Sequence, residues 1–241
     1  MTTAILSALA EEQQGLIQLL HQPRRVERAG RFFWLGELHG RPVVLALSRI
    51  GKVAAATTAT TLIEAFDAQR LVFTGVAGGI APGVEVGDVV VAQEFVQHDM
   101  DASPLFPRYE IPFYGRERFA CDAALVQSLL GATRVGLQQL GLQVTVHQGL
   151  VASGDRFVCA AEEARSLHAA LSEAGHAPLA VEMEGAAVAQ VCHDYGIPFA
   201  AMRTISDRAD DTAHVDFPRF VKEVASRYAL AILDSFMREL K

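Results

Sequence analysis

What most constrains this chain is an alternation. Apolar runs of strand length give way, again and again, to stretches with helical spacing. "TAILSAL" (3–9) reads as a strand and leads into a short helix from about Glu11 to Leu20. "RFFWLGEL" and "RPVVLALS" flank His39-Gly40 as a hairpin around a turn. Residues 52–66 form a helical pattern rich in small residues, and 70–75 a buried strand ending in glycines. "GDVVVAQEFVQHD" adds strand, 122–140 a helix, "LQVTVHQGLVAS" a strand and 160–173 a helix. "APLAVEME" passes from strand into the helix "GAAVAQVCHDY", and "IPFAAMRTIS" is the last core strand. In the closing helix Phe217, Phe220, Val221, Val224, Tyr228, Ala231, Ile232 and Phe236 recur at three- and four-residue steps, giving one apolar face. Strands alternating with helices imply an α/β fold: a three-layer α-β-α sandwich around a mixed, mostly parallel sheet. No repeat or linker interrupts the pattern, so residues 1–241 are expected to form one domain.

Composition narrows the function. Hydrophobic residues make up 51% of the chain, enough for a sizeable core, and the net charge is −7. That balance disfavours nucleic acid or an anionic membrane as the main partner, since both call for clustered Lys and Arg. The one basic pair, Arg24-Arg25, falls in an expected loop. No apolar run approaches a membrane span, and the N-terminus lacks a basic region ahead of its short apolar stretch. Three widely spaced cysteines, Cys121, Cys159 and Cys192, fit neither a disulfide framework nor a zinc site. The expected class is a cytoplasmic enzyme or binding protein with reduced thiols.

In open α/β sheets ligands bind beyond the C-terminal ends of the strands. Four such ends carry unusual residues. In "SALAEEQQG", Glu11 and Glu12 are either first-turn acids favoured by a helix dipole or a source of a general base. In "FTGVAGGIAPG", Gly75, Gly78 and Gly79 make a tight turn or allow backbone to approach a ligand; the spacing fits neither a dinucleotide fingerprint nor a P-loop. Phe157 in "VASGDRFVCAAEE" is either core or a stacking platform for a flat ring. Glu182 and Glu184 flank Met183 in an apolar setting where carboxylates are costly to bury unless paired or ligand-bound. "TISDRADD" adds Ser206, Asp207, Asp210 and Asp211 at a fifth strand end. His98, Asp99 and Asp101 have no second ligand-rich cluster, so no metal site is expected.

Taken in order, Glu12, "TGVAGG", "SGDRF", "VEME" and "ISDRAD" resemble the 5′-methylthioadenosine/S-adenosylhomocysteine nucleosidases, within the nucleoside phosphorylase and nucleosidase family. The resemblance implies hydrolysis of the N-glycosidic bond of an adenine nucleoside, without cofactor or metal, by a homodimer. By that resemblance Asp207 protonates adenine N7, and Glu12 positions and activates the water. Glu184 accepts from the ribose hydroxyls with Met183 packed on the sugar. Phe157 stacks on the purine, the backbone of Val158 reads its edge, and Ala77, Gly78, Ile50 and Ser206 lie beside the ligand. The chemistry asks for a protonated Asp207 and an ionised Glu12, a division of labour related to that of inverting glycosidases. Arg203 is a candidate to orient nearby carboxylates, Glu12 among them, while Asp210 and Asp211 are expected to be solvated or capping.

The chain also departs from the family pattern. Val76 stands where relatives carry Ser or Thr, and Arg49 where Gly is common; Arg49 is expected to reach an anionic substrate tail or a surface ion pair. The resemblance implies that the loop 100–119, with three prolines and five aromatics, contributes to the 5′ pocket, often across a dimer interface, with Phe106, Tyr109 and Phe113 as an apolar clamp for the 5′ group. Two rival functions on the same fold are a phosphorylase and a futalosine-type hydrolase; a nucleoside-binding protein is the non-enzyme alternative.

Overall fold

The computed structural model describes residues 1–208 and 219–240. Among the described residues there are ten strands: β1 Thr2–Ser7, β2 His21–Arg28, β3 Arg31–Leu38, β4 Arg41–Leu47, β5 Ala68–Gly79, β6 Val89–Gln97, β7 Arg118–Ala120, β8 Val146–Ser153, β9 Pro178–Glu182 and β10 Phe199–Asp207. They are joined by α1 Ala10–Leu19, α2 Lys52–Phe66, α3 Ala123–Gln139, α4 Ala161–Glu173 and α5 Gly185–Tyr195. A π-helical turn, Val221–Ala225, leads into α6, Ser226–Glu239.

The strands form one mixed sheet in the order β10-β6-β8-β9-β5-β1-β4-β3-β2, with β7 on β6. Because β5 also pairs with β10, the path β10-β6-β8-β9-β5 closes on itself. Parallel pairs hold the centre (β1 with β4 and β5, β5 with β10, β8 with β6 and β9). Antiparallel strand pairs match the parallel ones in number, but the parallel registers are longer, as expected of a mixed, mostly parallel sheet.

The two-residue period of the strands builds the layers. On β1, Ala4 and Leu6 join one buried cluster with α2 and α5, while Ile5 joins the other with α1, α3 and α6. Leu71 and Phe73 against Val72 on β5, and Phe199 and Ala201 against Ala200 and Met202 on β10, divide in the same way. Burial on both faces explains why these strands are continuously apolar in sequence. Helices α3 and α6 approach so closely that a Cβ at Gly136 would lie 2.9 Å from the Ile232 nitrogen.

Two expectations change. Arg24-Arg25 lie in edge strand β2, not a loop; the strand is exposed along nearly all its length and so carries no apolar signal. Arg25 is held against β3, its guanidinium 4.5 Å from the Phe32 ring centroid. The glycines at 75–79 are the last residues of β5, where Gly78 and Gly79 pair with Val181 and Ala180, and not a tight turn. Phe217, Asp210 and Asp211 lie outside the described residues. No described helix is long and apolar enough to cross a membrane.

Candidate active site

The C-terminal ends of β1, β5, β8, β9 and β10 converge on a cleft of ≈ 300 Å³. Leu9 after β1, Val76 to Gly78 on β5, Phe157 and Val158 after β8, Glu182 to Glu184 after β9, and Ser206-Asp207 on β10 line it, with Ile50 at its edge. The sequence motifs that looked separate thus share one hollow.

Glu12 sits one turn into α1, 1% exposed. Its Oε2 accepts from the backbone nitrogen of Leu9 at 3.0 Å, closing the helix start, while its Oε1 is buried with no hydrogen-bond partner among the described residues. The helix start therefore engages one oxygen of the carboxyl and leaves the other unengaged. Burial pushes Glu12 up to about 7, against the lowering effect of the Leu9 amide and the Arg203 charge. The expectation of a simply ionised Glu12 is corrected: near neutral pH the carboxyl is divided between its two forms.

Glu182 and Glu184, equivalent in sequence, are not equivalent in space. Glu182 accepts from Arg203 Nη2 at 2.7 Å and Nε at 3.3 Å, from the amides of Glu184 and Gly185, and from the Ser153 hydroxyl. Its charge at the start of α5 also complements the helix dipole. This acid is fully committed to structure. Glu184 Oε1 accepts from the Gly51 amide at 2.8 Å, and the residue lines the cleft. Burial and the neighbouring Glu182 raise it above the ordinary carboxylate range.

Arg203 is 1% exposed inside β10, stacked 4.1 Å from the Phe73 ring centroid. It orients a carboxylate as expected, but the partner is Glu182; Glu12 feels it only as a nearby charge. A cation inside an otherwise apolar strand was the signal that a buried acid had to face it. Asp207, 7% exposed, ends the same strand, and its Oδ2 accepts from the Ser206 hydroxyl at 2.7 Å. Phe157 is 44% exposed, so its ring is a cleft wall and not core, whereas Val158 packs with Ala164 and Val181. Met183, Ala77 and Gly78 line the cleft as well.

The sequence reading missed a bracket around Glu184. Asp155 Oδ1 accepts from the Lys52 amide at 2.7 Å, and Lys52 Nζ donates to Asp99 Oδ1 at 2.6 Å. Asp99 Oδ2 in turn accepts from the Asp155 amide at 2.9 Å. These bonds tie the start of α2, and with it Gly51, to the loop that carries Phe157. Their partners lie far apart in the chain, so no local pattern reveals them.

Among the expected residues, Glu12 and Arg203 lie behind the cleft wall, Glu12 bonded to the Leu9 amide and Arg203 inside β10. The three expected loop aromatics do not line the cleft within the one chain. Tyr109 is buried with Val96, Leu150 and Ala152, in a separate cluster. Phe106 and Phe113 meet edge to face with ring centroids 5.2 Å apart, and Phe113 is 93% exposed. The loop's aromatics thus pack on the body of the chain or face outward. Arg49 likewise points elsewhere, donating to the Gly30 carbonyl.

The family model described as the phosphorylase superfamily matches residues 2–238. The 5′-methylthioadenosine/S-adenosylhomocysteine nucleosidase of Shewanella denitrificans is 35% identical over 97% of each chain. The enzyme of the same name from Chromohalobacter salexigens is 36% identical, over 95% of this chain and 94% of its own. A crystal structure of such a nucleosidase from Neisseria meningitidis, in complex with methylthio-immucillin-A, matches with a TM-score of 0.90 at 34% identity, covering 99% of both chains.

Proposed function

The chain belongs to the phosphorylase superfamily and, within it, to the 5′-methylthioadenosine/S-adenosylhomocysteine nucleosidases, and on that premise we propose that it hydrolyses the N-glycosidic bond of 5′-substituted adenine nucleosides and releases adenine. Adenine leaves poorly as an anion. Asp207 donates a proton to N7, which lets the C1′–N9 bond loosen toward an oxocarbenium-like ribosyl group. Glu12 takes a proton from the water that attacks C1′ on the opposite face. Glu184 accepts from the ribose hydroxyls, and those donors favour its ionised form once substrate is bound. Phe157 stacks on the purine while the Val158 backbone meets its edge, Met183 covers the sugar, and Ala77, Gly78, Ile50 and Ser206 complete the walls.

The observation that carries this reading is Glu12, whose Oε1 is buried without a partner among the described residues and whose Oε2 holds Leu9 in the wall of the cleft that presents Asp207 and Glu184. A phosphorylase would need cations free to hold phosphate. Arg156 lines the cleft but pairs with Glu163 at 2.7 Å. The substrates are 5′-methylthioadenosine, S-adenosylhomocysteine and 5′-deoxyadenosine, residues 1–241 form one nucleosidase domain, and the protein works as a homodimer in a cytoplasm that keeps its three thiols free. The test of the assignment is Asp207→Asn. Turnover should fall by about 10²-fold or more with methylthioadenosine still bound; near-normal adenine release from this variant would overturn the mechanism.

A further inference from the structure

A second cavity, of ≈ 360 Å³, lies between α1, the start of β3 and the end of β4. Gln13 and Ile17 of α1, Arg31 and Trp34 of β3, and Arg49 line it. Two guanidinium groups meet here without a carboxylate: among the described residues neither Arg31 nor Arg49 forms an ion pair. Arg31 donates to the carbonyls of Ala29 at 3.0 Å and Ala54 at 3.3 Å, and its Nε is buried without a partner. Arg49 donates to the Gly30 carbonyl from a left-handed backbone, φ 61°, a costly conformation for a residue other than glycine. Gln13 is 4% exposed, and its Nε2 has no partner among the described residues. Like charges held together and buried donors left unmade are both destabilising unless something on this surface answers them.

We propose that this cavity binds a small organic anion, its charge held between Arg31 and Arg49 and its apolar body against Trp34 and Ile17. Planar guanidinium groups suit the forked oxygens of a carboxylate or a phosphate ester. The site is separate from the catalytic cleft but shares its framework. Leu9 and Ile50 line the cleft, and their chain neighbours Ala10 and Arg49 line this cavity. The proposal does not depend on the hydrolytic assignment.

Trp34 is the chain's one tryptophan, so its fluorescence reports on the cavity directly. Titrating the purified protein with benzoate and with phenyl phosphate separates the two anion types. At least one of them should give a saturable change that persists in excess adenine. Arg49→Gly, which suits the left-handed backbone and should fold, is expected to weaken that binding by about tenfold or more through loss of a charge-assisted hydrogen bond. Arg31→Gln should do likewise. Inorganic phosphate, with no apolar body, should produce no comparable signal. An absent response to both aryl anions, displacement by adenine, equal binding of inorganic phosphate, or unchanged affinity in both variants would each overturn the assignment.

Discussion

Glu12 is pulled two ways, and the balance makes it measurable. Burial favours its neutral form, while the Leu9 amide and the Arg203 charge favour the anion, leaving it at about 7 against an ordinary 4.5. Between those two values the folded state keeps a proton that the unfolded chain has released. Stability from this group is therefore complete below about pH 4.5, falls as pH rises through about 7, and stays lost above that. Glu12→Gln should flatten this slope and raise stability at pH 8 by up to about 3 kcal/mol, while removing the proposed base and hence turnover. Urea unfolding of both proteins at pH 5 and pH 8 checks it, and equal pH slopes would count against the burial account. Glu182 should respond in the opposite sense. Glu182→Gln leaves Arg203 buried without its counter-charge, at a cost of about 3–5 kcal/mol, seen as a lowered urea midpoint. The residue types of the site were legible in the sequence, but their electrostatics were not. Which of Glu182 and Glu184 is spent on Arg203, and how far Glu12 is desolvated, depend on neighbours brought together only by folding.

Elements differed in legibility for a physical reason. Strands β1, β5 and β10 are buried on both faces and announce themselves as apolar runs. Strand β2 is an exposed edge held by β3, so neither period nor propensity betrays it. The end of β5 read as a turn because its glycines suggest one, yet the same glycines let β9 pair alongside and bring Glu182 and Glu184 to the cleft. Close approach also governs the helices. A Cβ at Gly136 would meet the α6 backbone at Ile232 and Ala231, where no flexible side chain can yield. Gly136→Ala should cost about 1–3 kcal/mol by forcing α3 and α6 apart, and a thermal melt of the variant measures it. An unshifted melt would mean that the helix pair is looser than described.

At the scale of the whole molecule, the closed path β10-β6-β8-β9-β5 gathers the functional strand ends on one side. That is why motifs spread from Val76 to Asp207 share one cleft, which Ala8 and Leu9 reach from the neighbouring β1. The loop 100–119 was expected to contribute to a 5′ pocket, often across a dimer interface, and in the single chain it presents Leu105 and Phe113 outward, 83% and 93% exposed. Proposed as part of a homodimer contact, it gives a direct expectation. Sedimentation should yield twice 26.0 kDa, and Phe113→Asp should shift the protein toward the 26.0 kDa of one chain. A protein that sediments at 26.0 kDa throughout would contradict the homodimer. The claim on which the rest depends is that water, not phosphate, receives the ribosyl group. The most direct measurement is to incubate the pure protein with methylthioadenosine, with and without phosphate, and identify the sugar. Adenine and free methylthioribose, formed at a rate indifferent to phosphate, are predicted; methylthioribose 1-phosphate, or no adenine at all, would contradict it.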